Sequence, residues 1–273
     1  MREGILWWAV LLIAANASAD ERAPVAVLHA IGTLHGFPSM SDGAGKVIAD
    51  GELTQELSGD HLVVHARWLF ADGRQADERD DFRVDRDVAQ EHFSWIETRG
   101  SEELRRFEVD FGTGKAMAMT RDDQQHEKHE EAQLDLRGGR AFAGYGVALA
   151  LSELSVPAGG DAEITAVGFT PQPRTVTLQV HRGNEEAVTV AQRAIPCDRY
   201  TLHPMIAFPV NLFAGVKDAH VWLTHAPPRA LLRSEQNLVT KDDPVVIVDA
   251  MPRGAAHPPA GRIRQASPPS PSR

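Results

Sequence analysis

The chain has 273 residues, with 28 Lys and Arg against 38 Asp and Glu and a formal net charge of −10. An acidic chain argues against nucleic acid as a partner, because phosphate contacts need a basic face. Cys197 is the only cysteine, so no internal disulfide can form and stability has to come from a core. We expect Cys197 to be a buried, small apolar residue rather than a nucleophile.

The first 19 residues have the layout of a cleaved secretory signal peptide. A charged start is followed by an apolar run from Ile5 to Ala15 and by small residues before Asp20, and this run is too short to span a bilayer comfortably. We expect export to the periplasm or the extracellular space, with a mature chain that begins at Asp20. A retained membrane anchor is the alternative. No later stretch is long and apolar enough for a transmembrane segment.

Alternation of apolar and polar residues dominates the chain from Val25 onward, and His61–Phe70 is its clearest example. One face of that segment is apolar, which is typical of a strand with one side on a core. Asp72-Gly73 predicts a hairpin turn after it, and Gly112-Thr113-Gly114 predicts a second hairpin. Between Val25 and Arg137 we expect a meander of six to eight strands.

Residues 140–154 interrupt this rhythm. Tyr145, Leu149 and Ser152 share one helical face, which predicts a short buried helix, although Gly144 and Gly146 are weak helix formers and a buried strand is the alternative. Residues 155–161 form the only plausible internal boundary. We predict a single β-rich domain over residues 20–252, followed by a disordered tail over residues 253–273 that is rich in proline and arginine.

The second half of the chain returns to strands. Arg182-Gly183-Asn184 predicts a hairpin. The apolar segment Asp198–Phe213 contains prolines and is not expected to be a central strand; it is interpreted as a segment across one end of the sheet, or as a lid. Asp218–Met251 is predicted to close an antiparallel sheet, with a last strand, Val245–Val248, that is the most buried.

Two clusters of side chains could bind a metal, but another interpretation is preferred for each. His126 and His129 stand beside three carboxylates, a set that suits zinc or nickel, but their spacing differs from HExxH and a hydrophilic hairpin loop is the preferred interpretation. Asp242-Asp243 could bind calcium, yet a turn before a strand is favoured. Asp249, if it points inward, requires a cationic partner, for which Arg229 or Arg233 is the natural candidate.

The pattern of repeated hairpins that ends in ALLRSE and DDPVVIVD resembles uncharacterised exported bacterial families of unknown function. Some of these are similar to the half-barrel or β-roll carriers of the bacterial envelope, such as the lipoprotein-localisation factors. The resemblance implies a curved antiparallel sheet whose concave face holds an acyl chain or another apolar ligand. It extends over Val25 to Met251 as an architecture and carries no specific functional residue.

Together these patterns predict an all-β, mainly antiparallel fold: a curved sheet, half-barrel, β-roll or sandwich with at most one or two short helices. One helix and one apolar loop are scant cover for a dozen one-sided strands, so a cavity for a lipid or another apolar molecule could remain. Its candidate lining residues are Trp68, Trp222, Phe208 and Phe213.

Two other function classes stay open. A closed core built on the aromatic residues would indicate a structural module with an envelope protein as partner. A metal-assisted hydrolase would use His126 and His129, but no nucleophile or dinucleotide motif supports an enzyme. We expect no cofactor.

Overall fold

The computed structural model describes residues 23–122, 124–136, 138–170, 172–190, 193–205 and 217–250. They form one short helix and seventeen strands. The elements, in chain order, are β1 (Val25–Ala26), β2 (Leu34–Gly36), β3 (Ser39–Asp42), β4 (Val47–Ser58), β5 (His61–Phe70), β6 (Arg74–Val84), β7 (Asp87–Arg99), β8 (Glu102–Asp110), β9 (Lys115–Arg121), β10 (Glu127–Gln133), β11 (Ala141–Phe142), α1 (Tyr145–Glu153), β12 (Asp161–Thr170), β13 (Gln172–Val190), β14 (Arg193–Met205), β15 (Ala219–Thr224), β16 (Leu231–Asn237) and β17 (Val245–Asp249).

The strands form one large, curved and mostly antiparallel sheet that does not close into a barrel, which confirms the predicted fold class. From β3 to β10 each strand pairs with the next one along the chain. From β12 to β17 the same rule holds. β17 pairs with β3 and so joins the two runs. The short strands β1, β2 and β11 add to β7, β4 and β12, and β11 does so in parallel.

The prediction that the last stretch closes the sheet is therefore corrected. β17 is hydrogen-bonded on both sides and lies in the middle of the sheet, where it connects the first and second halves of the chain. The open edges are elsewhere, at β10 and near β12, and β9 and β10 approach β13 there without a ladder between the described residues. Nor is β17 the most buried strand, because only Val246 and Asp249 in it are buried.

Several strand predictions fail for identifiable physical reasons. The first half has ten strands rather than six to eight, since the short segments β1, β2 and β3 pair as strands and the charged segment Glu127–Gln133 pairs with β9 as β10 instead of forming a loop. Gly183-Asn184 makes no hairpin: it lies at a bulge inside the 19-residue strand β13. β14 is a central strand despite Pro196 and Pro204, because both prolines fall outside Cys197–Leu202, the part of it that also pairs with β15.

The helix α1 lies against the concave face, and its prediction is confirmed. Leu149, Ala150 and Leu151 of α1 are buried in a core that includes strand residues from both halves of the sheet, among them Leu62 and Val221. Gly144 ends the preceding loop with φ 51°, a conformation that favours glycine. The two glycines that weaken the helix in the sequence are therefore features of its N-terminal junction.

Candidate ligand cavity

A cavity of about 260 Å³ lies between α1 and the concave face of the sheet. The N-terminal half of α1 lines one side with Tyr145, Val147 and Ala148, and both halves of the sheet line the rest. Apolar side chains dominate the lining. Because the helix is short, it covers only part of the concave face, and the uncovered part is hollow.

Aromatic residues form the wall contributed by the first half of the sheet. Trp68 and Trp95 lie on β5 and β7, on either side of β6, and both are buried. The Trp68 ring covers the backbone of Gly51 on β4, where a Cβ atom would lie 2.7 Å from the ring. Phe93 and Phe169 stack across the space between the two halves, with ring centroids 6.1 Å apart. Glycine at position 51 is thus required by the close approach of the tryptophan ring.

The charged group of the lining is the carboxyl group of Glu78 on β6, and Ser234, Gln236 and Asn237 line the cavity as well. Its Oε1 accepts the backbone N–H of Tyr145 at 2.9 Å, in the first turn of α1. Asp80, two residues further along the same face, is buried and accepts a hydrogen bond from Gln90 Nε2 at 2.8 Å. Both carboxyl groups therefore stand at the positive end of the helix.

Gln90 completes this junction between sheet and helix. Its Oε1 accepts the backbone N–H of Ala143 at 2.7 Å, and its Nε2 also donates to the Ala143 carbonyl at 3.2 Å. A Cβ atom on Gly146 would lie 2.5 Å from Gln90 Oε1. The glycines on both sides of Tyr145 allow the helix N-terminus to approach the polar side chains of β6 and β7 closely.

Burial raises the pKa values of both carboxyl groups. Desolvation raises the pKa of Glu78 to about 7, against the backbone hydrogen bond from Tyr145, which lowers it. The pKa of Asp80 is raised well above its usual range by desolvation first and by the charge of Glu78 second. Desolvation and the same two carboxylates raise the pKa of Tyr145 to about 12. The pair therefore retains a proton in the neutral range.

A second space of about 200 Å³ adjoins the cavity and shares Ala166, Leu178 and Ala219 with it. Lys217 and Lys241 contribute to the lining of this second space. The carboxyl group of Glu78 lines the first cavity instead. Taken together, the two adjoining spaces reach the lower part of the ~300–1,000 Å³ range of small-molecule sites.

The buried carboxylates elsewhere in the described chain differ from buried Asp80 and its partly buried neighbour Glu78. Glu97 is 2% exposed and bonds to Arg74 Nη1 at 2.7 Å and Arg105 Nε at 3.0 Å. Arg105 also holds Asp243, in the turn before β17, at 2.7 Å. Ion pairs of this kind therefore fasten the β16–β17 turn to β8.

Two more buried carboxylates have an arginine, and one is held by backbone. Arg182 Nη2 donates to Asp198 at 2.7 Å. Arg233 Nε donates to Asp249 at 2.7 Å, which confirms the predicted inward aspartate with an arginine on the neighbouring strand. Glu153, at the end of α1, accepts the backbone N–H groups of Leu28 and His29.

Two of the four sequence-predicted cavity residues belong to the described ranges, and one of these two lines the space. Trp68 does. Trp222 follows Val221, which lines the cavity, and consecutive strand residues point to opposite faces. The Trp222 indole N–H instead donates to Glu186 at 3.1 Å in an exposed position. Phe208 and Phe213 lie outside the described residues.

The residues considered for metals are dispersed on the surface. His126 pairs with Asp122 at 3.3 Å and His129 with Glu127 at 3.5 Å, and both imidazoles are more than half exposed. Within the described part of the chain, no three His, Cys, Asp or Glu side chains are grouped as a metal site would require. Asp243 accepts the backbone N–H groups of Val239 and Thr240 and thus belongs to a turn, as the favoured interpretation had it. Cys197 is buried, and desolvation raises the pKa of its thiol.

Sequence reasoning missed Glu78, Asp80 and Gln90. β6 reads as a charged segment, RQADERDDFRV, with acids and bases on both faces. A signal was nevertheless present: Ala76, Glu78, Asp80 and Phe82 alternate, and the Asp72-Gly73 hairpin places Ala76 opposite Trp68. Two acids between an alanine and a phenylalanine on the core face of a hairpin indicate buried carboxyl groups.

Comparisons with known proteins give little further information. No family model matches the chain, and no curated protein matches it. Among solved structures, the chain is similar to the crystal structure of the hypothetical lipoprotein YmcC from Escherichia coli (K12), with 12% sequence identity and a TM-score of 0.36. The match covers 80% of this chain and 84% of that one. No conclusion about function rests on a likeness of this degree.

No helix within the described ranges combines the length and the apolar character that a membrane-crossing helix needs.

Proposed function

We propose that the protein is an exported envelope protein that holds an apolar ligand, such as a lipid acyl chain, between α1 and the concave face of the sheet. The observation that carries this proposal is the hollow region of about 260 Å³ with its largely apolar lining. Protein interiors are normally packed with few voids larger than a water molecule. A space of this size, lined by apolar side chains, is therefore better suited to a ligand than to solvent.

The shape of the sheet supports the same proposal. Side chains such as Leu53, Leu178 and Leu231 are only partly buried although they line the interior. An apolar chain placed there would remove their remaining surface from water, and each Å² removed contributes about 25 cal/mol. The export part of the proposal rests on residues 1–19, and the mass of the protein recovered from the periplasm tests it: a chain that begins at Asp20 is expected.

The binding test uses N-phenyl-1-naphthylamine, a neutral apolar dye whose fluorescence rises in apolar surroundings. We expect saturable binding to the purified protein. Ala148→Phe places a ring from α1 into the cavity and should abolish it. The matched control is Ala187→Phe, at an exposed position on β13, which adds the same ring outside the cavity and should bind the dye like the wild type.

Native mass spectrometry of protein purified gently from the envelope provides the complementary measurement. An apolar molecule carried in stoichiometric amount, and lost in Ala148→Phe, is the expected result. A mass of the protein alone, which persists after incubation with envelope lipid extract and is accompanied by no dye binding, would refute the carrier function. It would leave the structural module with an envelope protein partner as the function to pursue.

A further inference from the structure

The carboxyl group of Glu78 is the starting point of an inference that rests on the proposed function and specifies its ligand. Among the described residues, no Lys, Arg or His side chain forms an ion pair with Glu78 or Asp80, whereas Glu97, Asp198 and Asp249 each have an arginine. A buried carboxyl group needs hydrogen-bond partners or a proton. Glu78 faces the cavity, so a ligand there is in position to supply a hydrogen bond.

Two indole N–H groups at the same cavity are a second, independent observation. The Nε1 atoms of Trp68 and Trp95 are buried and have no hydrogen-bond partner among the described residues. Both side chains line the cavity and are about 95% buried. A buried donor without an acceptor is rare in folded proteins. A ligand that carries a hydrogen-bond acceptor would satisfy these two donors.

The register of the sheet brings these three groups together. Glu78 pairs directly with Trp95 of β7 and with Ala66 of β5, and Trp68 pairs with Ala76, two residues before Glu78. Directly opposed side chains have Cβ atoms ~5 Å apart and diagonal ones ~7–8 Å. One carboxyl group and two indole rings thus occupy adjacent positions on three neighbouring strands, next to the N-terminus of α1.

We infer that the cavity selects an apolar ligand whose polar end is an uncharged hydroxyl group, bound beside Glu78, Trp68 and Trp95. A hydroxyl group donates one hydrogen bond and accepts others, so it satisfies a carboxylate and an indole N–H at once. A carboxylate head would meet the Glu78–Asp80 pair without a compensating cation. An ammonium head would satisfy Glu78 but has no acceptor for the indole N–H groups.

The lysines at the adjoining space define the competing orientation. Lys217 and Lys241 lie beside it, and a fatty acid could place its carboxylate there with its chain pointing toward Glu78. The two orientations predict opposite preferences among ligands of equal chain length, because only the first one depends on Glu78.

The experiment measures displacement of N-phenyl-1-naphthylamine from the purified protein by decan-1-ol, decanoate and decylammonium. We expect decan-1-ol to bind about tenfold more tightly than the two ions, since either ion leaves a buried polar group at this site without a partner, and that costs roughly this factor. Glu78→Leu should reduce decan-1-ol binding about tenfold and leave dye binding intact. Glu78→Gln retains a donor and an acceptor and should stay within about threefold of the wild type.

Trp95→Phe keeps an aromatic ring and removes the N–H group, so decan-1-ol should bind about threefold less tightly. Trp222→Phe, outside the cavity, should bind like the wild type. This pair keeps the test valid if Glu78→Leu fails to fold.

The outcomes separate this inference from the function on which it rests. No binding of dye or of any displacing compound contradicts the carrier function itself. Dye binding with tightest displacement by decanoate, or by decylammonium, contradicts the hydroxyl preference and leaves the carrier function in place. Equal displacement by all three, unchanged in the Glu78 and Trp95 variants, likewise overturns the inference.

Discussion

The two ends of α1 lie in regions of opposite character. Around its C-terminal half, Leu149, Ala150 and Leu151 are buried in a core with Leu62, Phe82 and Val180, all of which are inaccessible or nearly so. Around its N-terminal half, Tyr145, Val147 and Ala148 are only partly buried and border the cavity. One nine-residue helix thus completes a dry core at one end and leaves a hollow at the other.

The polar groups follow the same division. The buried carboxylates away from the cavity are held by arginine side chains or by backbone N–H groups of another segment, and those interactions fasten loops and strands together. The Glu78–Asp80 pair has no arginine among the described residues: the two carboxyl groups bond to each other, to the helix N-terminus and to Gln90. The closed region thus has its buried carboxylates in ion pairs or backbone hydrogen bonds, whereas the hollow region has carboxyl groups with raised pKa values, which are enriched at functional sites.

The largest expected effect is on the free energy of unfolding, when a leucine of the dry core and a leucine of the cavity wall are each replaced by alanine. Leu151→Ala should lower it by about 3–5 kcal/mol, because the side chain is fully buried and leaves a void in a dense core. Leu231→Ala, at the cavity, should lower it by only about 1 kcal/mol. That side chain is partly exposed, and the side that faces the cavity has no packing contacts to lose. Urea denaturation measures both. Equal losses would mean that the cavity wall is packed like the core.

The matched substitution of two glutamates comes next. Glu97→Gln should lower the free energy of unfolding by about 2–3 kcal/mol, because Arg74 and Arg105, both partly exposed, each lose one of their two charge partners. Glu78→Gln should leave stability at pH 8 unchanged or raise it by up to ~1 kcal/mol, since Glu78 has no cation and Gln still accepts the Tyr145 N–H. Urea denaturation at pH 8 checks both, and a large loss for Glu78→Gln would reveal a cationic partner.

A pH dependence sharpens the same contrast. The pKa of Glu78 is raised from 4.5 to about 7 in the folded state, so the folded protein retains a proton that the unfolded chain has released between these values. The free energy of unfolding contributed by this group therefore falls as pH rises from about 4.5 to 7 and stays low above. We expect wild-type stability to decline relative to Glu78→Gln between pH 5 and pH 8. Parallel curves for the two proteins would contradict the raised pKa.

The sequence predicted correctly those features that depend on neighbouring residues in the chain. The alternation of His61–Phe70, the Asp72-Gly73 turn and the helix over 145–153 are local patterns, and the structure has all three. Gly183-Asn184 and Pro204 of β14 were misinterpreted. Glycine occurs in bulges as well as in turns, and a strand tolerates proline at a position where only one neighbouring strand pairs with it.

The candidate site was less accessible to prediction than the fold. Trp68 was found because it alternates with apolar neighbours, while Trp222, in an equally apolar strand, lies on the other face. Glu78 and Asp80 were hidden by the charged residues that alternate with them, and their burial depends on a helix 65 residues or more later in the chain. The arginine partners of Glu97, Asp198 and Asp249 lie on neighbouring strands, so whether a carboxyl group has one depends on the strand register.

The smallest expected effect distinguishes the two tryptophans of the cavity from the third. The chain from Asp20 to Arg273 contains only Trp68, Trp95 and Trp222, and the first two line the cavity. A decan-1-ol analogue brominated along its chain should quench the fluorescence of Trp68 and Trp95 by contact and leave that of Trp222. Trp222→Phe should therefore increase the quenched fraction, and Trp68→Phe should decrease it. If Trp222 accounts for the quenching, the ligand lies on the outer face, and the hollow region loses its assigned role while the dry core and its predicted stabilities remain unaffected.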